Sequence, residues 1–230
     1  EAILLVQKYL GIPICKLCIE DNKPEAIALM KKKTEDIKSI QIVALPSSYP
    51  QGAEKVIVYS ATGRIVAEGE LPSNQGVMVM NVSTAAHIYR YSQDGMPLIK
   101  RRLTVDGDAV TKNAGNYFVP IGTRVSELLE HCGVTEAKKV LYGGPMMGLC
   151  LYDTDQPVLK NNNAILAFKN GESPKTTACI RCGRCVRACP LNLMPVMIEN
   201  AYNAEDIEEL KRLKVTLCMN CGCCSYACPA

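Results

Sequence analysis

Two dense runs of cysteine constrain this chain more than any other feature. Residues 179–190 read CIRCGRCVRACP and residues 218–229 read CMNCGCCSYACP, so both runs have the spacing C-x2-C-x2-C-x3-C-P. A structural zinc site uses two cysteine pairs separated by a loop of about a dozen residues or more, and neither run has that layout. Three cysteines at two-residue intervals instead suit the adjacent irons of a cubane cluster.

The repetition of the run predicts two [4Fe–4S] clusters that exchange one ligand. In the ferredoxin pattern the fourth thiolate of each run binds the other cluster, so neither run completes its own site and the run must occur twice. One predicted ligand set is Cys179, Cys182, Cys185 and Cys228. The other is Cys189, Cys218, Cys221 and Cys224. A zinc site and a degenerate structural remnant are the alternatives.

The remaining five of the thirteen cysteines are interpreted as packing residues. Cys223 stands at a position that the pattern does not require, which favours a spare small residue. If CKLC at 15–18 lies on a strand, Cys15 and Cys18 point to opposite sides of the sheet. We therefore expect both to be buried small residues, and we expect the same of Cys132 and Cys150. This many cysteines without complete pairing favours a reducing cytosol.

Charge excludes some functions and leaves one question open. The net charge is only +3, which does not indicate a nucleic-acid partner. No apolar run approaches the roughly 18–20 residues of a membrane-spanning helix, so membrane contact is expected only through a partner. Arg181, Arg184 and Arg187 recur every third residue in the first run. They form either a solvated face or a surface that offsets anionic clusters or docks an acidic redox partner.

Residues 1–95 alternate between strand-like and helix-like patterns. A helix predicted over 20–33, with Asn22 as its N-cap, separates strands predicted at 11–19 and 39–46. Strand, helix and strand in that order favour a βαβ unit with a parallel sheet.

Further elements follow in the same region. β-Branched content predicts a strand at 54–60, and another is predicted at 76–82, leading into a helix over 83–93. The chain opens with Glu1 inside an uncapped helix-like pattern, so we expect a fragment that lacks its N-terminal part.

From 96 to 168 short strands and turns alternate with one helix. A hairpin formed by LIKRRLTVDGDAV and NYFVPIG, the helix RVSELLEHCG and the strand before the turn GGPMMG indicate a small α+β domain. His131 in that helix is interpreted as an ordinary surface histidine. The polar stretch 169–177 is the predicted linker to the cysteine-rich part.

Taken together, these segments resemble the RnfC family, a component of the Rnf complexes, which are ion-translocating ferredoxin:NAD oxidoreductases of bacterial membranes. The resemblance covers essentially the whole chain. It rests on the double cysteine run together with GIPICKLCIEDNKPEAI, YPQGAEKVIVYSATGR, LPSNQGVMVMNVSTAAHIY, RRLTVDGDAV and VLYGGPMMG. That family is similar in turn to the NADH-oxidising flavoprotein of respiratory complex I.

The resemblance implies a multidomain α/β and α+β protein. Residues 1–95 would form a partial Rossmann-like FMN- and NADH-binding domain, residues 96–168 a β-grasp domain of the soluble-ligand-binding (SLBB) type, and residues 169–230 a ferredoxin-like module with two [4Fe–4S] clusters. It also implies that 54–60 is helical, against its β-branched content, and we adopt the helix.

The resemblance further implies residues of a flavin site. The FMN-lining motifs of complex I, Y-x-x-G-E-E and V-x-N-V-E-T, fall here on Tyr49, Gly52, Glu54, Asn81 and Thr84. Two of the motif glutamates are replaced, by Ala53 and Ser83, so the contacts of those carboxylates do not carry over. For Asn81 and Thr84 a helix cap is the alternative role.

The function implied by the resemblance is electron transfer. NADH delivers two electrons as hydride and each cluster carries one, so FMN is needed as the converter. The implied partners are NAD(H), a ferredoxin-like iron–sulfur protein and other subunits that hold the chain on the cytoplasmic face of the membrane. Because the family's flavin loop and its acidic nicotinamide motif lie upstream of Glu1, we expect these residues alone not to oxidise NADH.

Two other functions are kept as alternatives. One is a soluble flavin and iron–sulfur reductase paralogue that serves a cobalamin or amino-acid reductase, in which the cysteine runs would look the same. The other is a non-catalytic assembly module whose clusters are structural.

Overall fold

Residues 1–172 and 175–230 are described by the computed structural model, in which the chain divides into two units, Glu1–Met96 and Pro97–Ala230. The linker predicted at 169–177 includes residues 173 and 174, which lie outside the described residues. Among the helices of the described part, none has both the length and the apolar character needed to cross a membrane.

The first unit is built on two parallel strands. Strand β1 (Cys15–Glu20) pairs with β2 (Ile40–Leu45) so that Cys15 lies opposite Ile40, and helix α2 (Pro24–Lys33) connects them. The predicted βαβ unit is therefore confirmed. The other elements are α1 (Ala2–Leu10), α3 (Glu54–Thr62), a 3-10 turn (Pro72–Gln75) and α4 (Val82–Asp94).

A buried glutamine and a small apolar core hold this unit together. The Gln7 amide of α1 donates to the carbonyl oxygens of Ile12 and Ser39, each at 3.3 Å, and its Oε1 accepts from the Ser39 hydroxyl at 3.2 Å. These bonds fix α1 to the start of β2. Helix α3 packs against both strands and buries Val58.

Two predictions for this unit are wrong. Asn22 does not cap α2, because Pro24 takes the first helical position and Lys23 becomes the N-cap, without a side-chain cap bond. The Asn22 Oδ1 instead accepts from the Lys23 ammonium at 3.0 Å. Residues 76–82 are described throughout and form no strand, since apolar content alone supplies no neighbouring backbone to pair with.

The second unit contains a five-stranded mixed sheet in the order β4-β3-β7-β5-β6. Its elements are β3 (Lys100–Asp106), β4 (Gly115–Pro120), α5 (Val125–His131), β5 (Lys139–Tyr142), β6 (Leu149–Cys150) and β7 (Ala164–Phe168). The predicted β3–β4 hairpin is antiparallel as expected, while β3 and β7 run parallel. Between the sheet and α5 lies a core that includes the fully buried Leu103, Val125 and Ile165.

Short helices make up the cysteine-rich part of this unit. They are α6 (Arg184–Ala188), α7 (Pro195–Asn203), α8 (Ile207–Arg212), a 3-10 turn (Val215–Leu217) and α9 (Cys223–Ala227). Helix α6 packs against α9 and α7, and α7 packs against α8. The Asp206 side chain accepts the Glu209 N–H at 2.9 Å and so caps α8.

Candidate functional site

The two cysteine runs have the same local backbone. In each run a glycine with a left-handed conformation begins a short helix, Gly183 (φ 72°) for α6 and Gly222 (φ 78°) for α9. Two residues earlier, Arg181 (φ 56°) and Asn220 (φ 54°) are also left-handed. The fourth cysteine of each run is extended and follows its helix directly. Equal cysteine spacing therefore produces equal conformation.

The structure brings together four predicted ligands from both runs. A cavity of about 430 Å³ is lined by Cys179, Cys182, Cys185 and Cys228. This volume is many times the roughly 30 Å³ that one water molecule occupies, so the space suits a group of several atoms. The backbone N–H of Arg181 donates to the Cys179 sulfur at 3.4 Å, a contact that stabilises negative charge on that sulfur.

Three members of the second predicted set lie around one thiol. The Cys223 thiol interacts electrostatically with Cys189 of the first run and with Cys221 and Cys224 of the second. Desolvation, followed by a hydrogen bond with Cys221 and these neighbouring thiols, raises the pKa of Cys223 to about 11, so its proton stays on at neutral pH. The backbone N–H of Leu193 donates to the Cys189 sulfur at 3.3 Å. Cys218 is exposed.

The residues of this part fit iron–sulfur clusters. Four sulfurs around one cavity and N–H groups directed at sulfur are the donor set that such clusters use. The buried hydrophobic residues described after residue 175 are only Leu193, Ala201 and Cys221. For a part with so small an apolar core, we expect a bound group to supply much of the stability. Within residues 1–172 and 175–230, no group of three or more His, Cys, Asp or Glu side chains is arranged so that it could hold a single metal ion.

A turn of the sheet lies against the second run, and sequence reasoning missed this contact. GGPMMG forms the predicted tight turn, with the Gly148 N–H donating to the Gly144 carbonyl at 2.7 Å. A Cβ added to Gly222 would lie 3.0 Å from the Met146 carbonyl oxygen. The matching glycine in both runs was visible in the sequence, but nothing in the sequence indicated what Gly222 touches.

The predicted flavin residues lie in two groups, each at the start of a helix. Glu54 is the exposed first residue of α3, and Tyr49 and Gly52 precede it. Asn81 is the N-cap of α4, and its Oδ1 accepts the Ser83 N–H at 2.8 Å. Thr84 lies exposed in the first turn of α4. The cap alternative for Asn81 is therefore realised.

The other singled-out cysteines behave differently from one another. Cys132 is fully buried, as predicted. Cys150 is exposed, and the prediction of burial is wrong for it because β6 is an edge strand. Cys15 and Cys18 are half-buried rather than buried, and burial raises the pKa of both thiols.

His131 is exposed, as predicted for a surface histidine. Its ring meets the Tyr117 ring edge to face, with the two centroids 5.7 Å apart.

Three known families match successive parts of the chain. Residues 1–90 match the Nuo51 FMN-binding domain, residues 102–149 the SLBB domain, and residues 173–229 the 4Fe-4S dicluster domain. The chain is thus a mixed α/β protein with these three domain types in this order. The first of these families is an FMN-binding domain and the third is a domain with two 4Fe-4S clusters, and FMN and [4Fe–4S] clusters are the cofactors predicted from the sequence.

Curated relatives extend the match across most of the chain. The C component of a proton-translocating ferredoxin:NAD(+) oxidoreductase complex of Clostridium ljungdahlii is 41% identical over 200 residues, 85% of this chain and 43% of the relative. The C component of a Na(+)-translocating ferredoxin:NAD(+) oxidoreductase complex of Acetobacterium woodii is 40% identical, over 84% of this chain and 44% of the relative. The chain belongs to the RnfC family of ion-translocating oxidoreductase components.

Further members of the RnfC family have similar values. The C component of an ion-translocating oxidoreductase complex of Rhodobacter capsulatus is 39% identical over 213 residues, 90% of this chain and 41% of the relative. The chain spans about two fifths of the length of these relatives, 41% to 44%. The family predicted by the resemblance is confirmed.

Proposed function

We propose that this chain forms part of an electron-transfer subunit that connects NAD(H) and FMN with ferredoxin-linked carriers through two [4Fe–4S] clusters. The observation that carries the proposal is the cavity lined by three cysteines of the first run and by Cys228 of the second. The protein works in a membrane-attached, ion-translocating complex. Its partner subunits hold it on the cytoplasmic face of the membrane.

Each cluster takes four thiolates, one of them from the other run. Cys179, Cys182, Cys185 and Cys228 hold one cluster, and Cys189, Cys218, Cys221 and Cys224 hold the other. The shared cavity supports the first set, and the position of Cys189 near Cys221 and Cys224 around Cys223 supports the second. When bound, each cluster accepts and releases one electron, and FMN exchanges two electrons with NADH.

Backbone groups of the cysteine-rich part stabilise the thiolates. The N–H groups of Arg181 and Leu193 donate to the sulfurs of Cys179 and Cys189. Hydrogen bonds to sulfur stabilise the more negative, reduced form and are one of the means by which a protein sets a cluster potential. Left-handed conformations at Arg181 itself and at Asn192, which precedes Leu193, position these two groups.

The flavin side of the proposal rests on the two helix starts. Tyr49, Gly52 and Glu54 lie at the start of α3, and Asn81 and Thr84 lie at the start of α4. Helix N-termini carry partial positive charge and N–H groups without helical partners, which favours the phosphate of FMN. We assign these five residues to flavin contact, with Asn81 also serving as the cap of α4.

The finer description of the domains is part of the same proposal. Residues 1–95 form part of a Rossmann-like domain, supported by the βαβ unit. Residues 96–168 form a β-grasp domain, supported by a mixed sheet packed on one helix. Residues 169–230 form a ferredoxin-like module, supported by the equal backbones of the two runs.

The test uses the full-length protein in its membrane complex. Cys185→Ser should lower NADH-dependent electron transfer with ferredoxin by more than about tenfold while FMN content is unchanged, because a cluster ligand is lost. The matched control is Cys150→Ser, an exposed cysteine outside both runs, which should leave the rate unchanged. A wild-type rate in Cys185→Ser contradicts the proposal.

A second arm of the experiment separates flavin contact from helix capping. Asn81→Ser keeps a side-chain oxygen for the Ser83 N–H, so α4 stays capped. Loss of FMN from this variant supports flavin contact by Asn81, and full retention limits Asn81 to the cap.

The same preparation tests the soluble-paralogue alternative, which the relatives do not favour. We expect the protein to co-purify with membrane subunits, and the absence of co-purification contradicts the proposal that it works in a membrane complex.

A further inference from the structure

The two cysteine runs share a backbone but differ in charge. Arg181, Arg184 and Arg187 of the first run are all exposed. The equivalent positions of the second run are Asn220, Cys223 and Tyr226, and that run contains no cationic residue. The two runs therefore present the same backbone, and only the first run adds three positive charges to it.

Two of the three arginines, Arg181 and Arg187, lie beside the cavity of the first predicted cluster. Arg181 and Ile180 line the four-cysteine cavity, and the Ile180 side chain is 66% exposed. The Arg187 Nη1 lies 3.5 Å from the Cys182 carbonyl oxygen, which keeps that guanidinium beside the run. Three of the four lining cysteines, Cys179, Cys182 and Cys228, are themselves exposed.

The second predicted ligand set is less exposed than the first. Of its four cysteines Cys218 is exposed, Cys189 and Cys224 are half-buried, and Cys221 is buried. Cys221 is only 9% exposed, and the turn containing Met146 lies against Gly222. Of the two predicted clusters, the one bound by Cys179, Cys182, Cys185 and Cys228 is therefore the more accessible to a partner protein.

We propose that the exposed face of the first run, formed by Ile180, Arg181, Arg184 and Arg187, is the docking surface for an acidic one-electron carrier protein. The inference rests on the proposed function, since it requires a cluster in the adjacent cavity. In the complex, one electron passes between the carrier and that cluster, so one is oxidised and the other reduced, and no bond is made or broken.

Charge complementarity identifies the kind of partner. Cationic side chains at an interface rim attract an acidic partner and speed its association. The Debye length is about 8 Å at physiological ionic strength, so the arginines attract a carrier only when it is close to this face of the first run. Ile180, an exposed apolar residue next to Arg181 in the cavity lining, adds an apolar contact to this surface.

The test compares two triple variants with the same change in net charge. In the full-length, cluster-loaded protein, Arg181, Arg184 and Arg187 are each changed to Gln. The control changes Lys112, Lys138 and Lys160 to Gln, three exposed lysines from the sheet part of the same unit. The probe is an acidic bacterial ferredoxin with two [4Fe–4S] clusters, and its Kd is measured at several salt concentrations.

The arginine variant should bind this ferredoxin about tenfold more weakly, since three exposed charge pairs are lost, and its Kd should depend less on salt. The lysine control should stay within about twofold of wild type. Equal effects in the two triples, or unchanged binding in the arginine triple, overturn the inference. The inference is also overturned if the arginine variant binds ferredoxin normally and fails only to assemble with its partner subunits.

Iron content and reduction by dithionite separate this inference from the proposed function. Wild-type protein without clusters contradicts the proposed function itself, whereas loaded variants with unchanged Kd contradict only the docking surface. If the triple variant loses iron, Arg184→Glu is used as a second variant, because Arg184 does not line the cavity. The Arg184→Glu protein should keep its iron and bind ferredoxin more weakly than wild type. Unchanged ferredoxin binding by this variant overturns the inference.

Discussion

Gly183 and Gly222 show how residues with the same conformation differ in what surrounds them. Both are left-handed, which favours glycine in either run. A Cβ on Gly183 would have the end of the flexible Arg187 side chain as its nearest neighbour, at 3.5 Å. On Gly222 it would meet the backbone oxygen of Met146 at 3.0 Å.

Alanine at the two positions should therefore have unequal effects. Gly183→Ala should lower the free energy of unfolding by about 1 kcal/mol, the cost of a left-handed alanine. Gly222→Ala should lower it by about 1 kcal/mol more, because the Met146 turn must move. Urea unfolding of the cluster-loaded protein measures both values, and equal losses would show that the turn does not constrain the second run.

Some residue roles could be predicted from the sequence and others could not. The cysteine spacing grouped Cys228 with the first three cysteines of the other run, and these four thiols do line one cavity. Their role as cluster ligands stays a prediction. Asn22 was predicted as the cap from its type, from Pro24 in the first turn and from Glu25 three residues later, but Pro24 takes the first helical position and Lys23 becomes the N-cap. The Met146 contact joins segments far apart in sequence, and no local pattern records it.

Among the elements, the two five-residue helices α6 and α9 are the pair on which the proposed crossed ligation depends. They pack against each other, and each leads directly into the fourth cysteine of its run. That packing brings Cys228 to the cavity lined by the first run.

Crossed ligation predicts which cysteine variants resemble each other. Cys228→Ser should remove the same electron paramagnetic resonance signal as Cys185→Ser, and Cys189→Ser the same signal as Cys224→Ser. The reason is that each pair binds one cluster although its members come from different runs. Spectra of the reduced single variants check this. A Cys228→Ser spectrum that matches Cys224→Ser would show that each run completes its own cluster.

Local sequence patterns predicted several elements of the first unit and of the sheet correctly, and the failures have a physical cause. The βαβ unit and the β3–β4 hairpin follow from local patterns and turns. The β-branched residues of 54–60 predicted a strand, yet α3 is a helix that packs against β1 and β2, where burial of Val58 outweighs propensity. The resemblance to the RnfC family predicted this helix, because relatives share tertiary structure, whereas β-branched content predicted a strand.

At the scale of the whole molecule, the second unit joins a sheet with a conventional apolar core to a part that has almost none. Among the described residues, twelve that are buried form the core of the sheet part. The cysteine-rich part buries only Leu193, Ala201 and Cys221 among its described hydrophobic residues. We therefore expect the fold of this part to depend on the clusters that its thiols are proposed to bind, and the number of bound iron and sulfide atoms tests this expectation.

The most direct test of the account is the iron and sulfide content of anaerobically reconstituted protein. Two complete ligand sets predict about eight iron and eight labile sulfide atoms per chain. A count near four of each, or zinc in place of iron, would contradict the assignment of two [4Fe–4S] clusters.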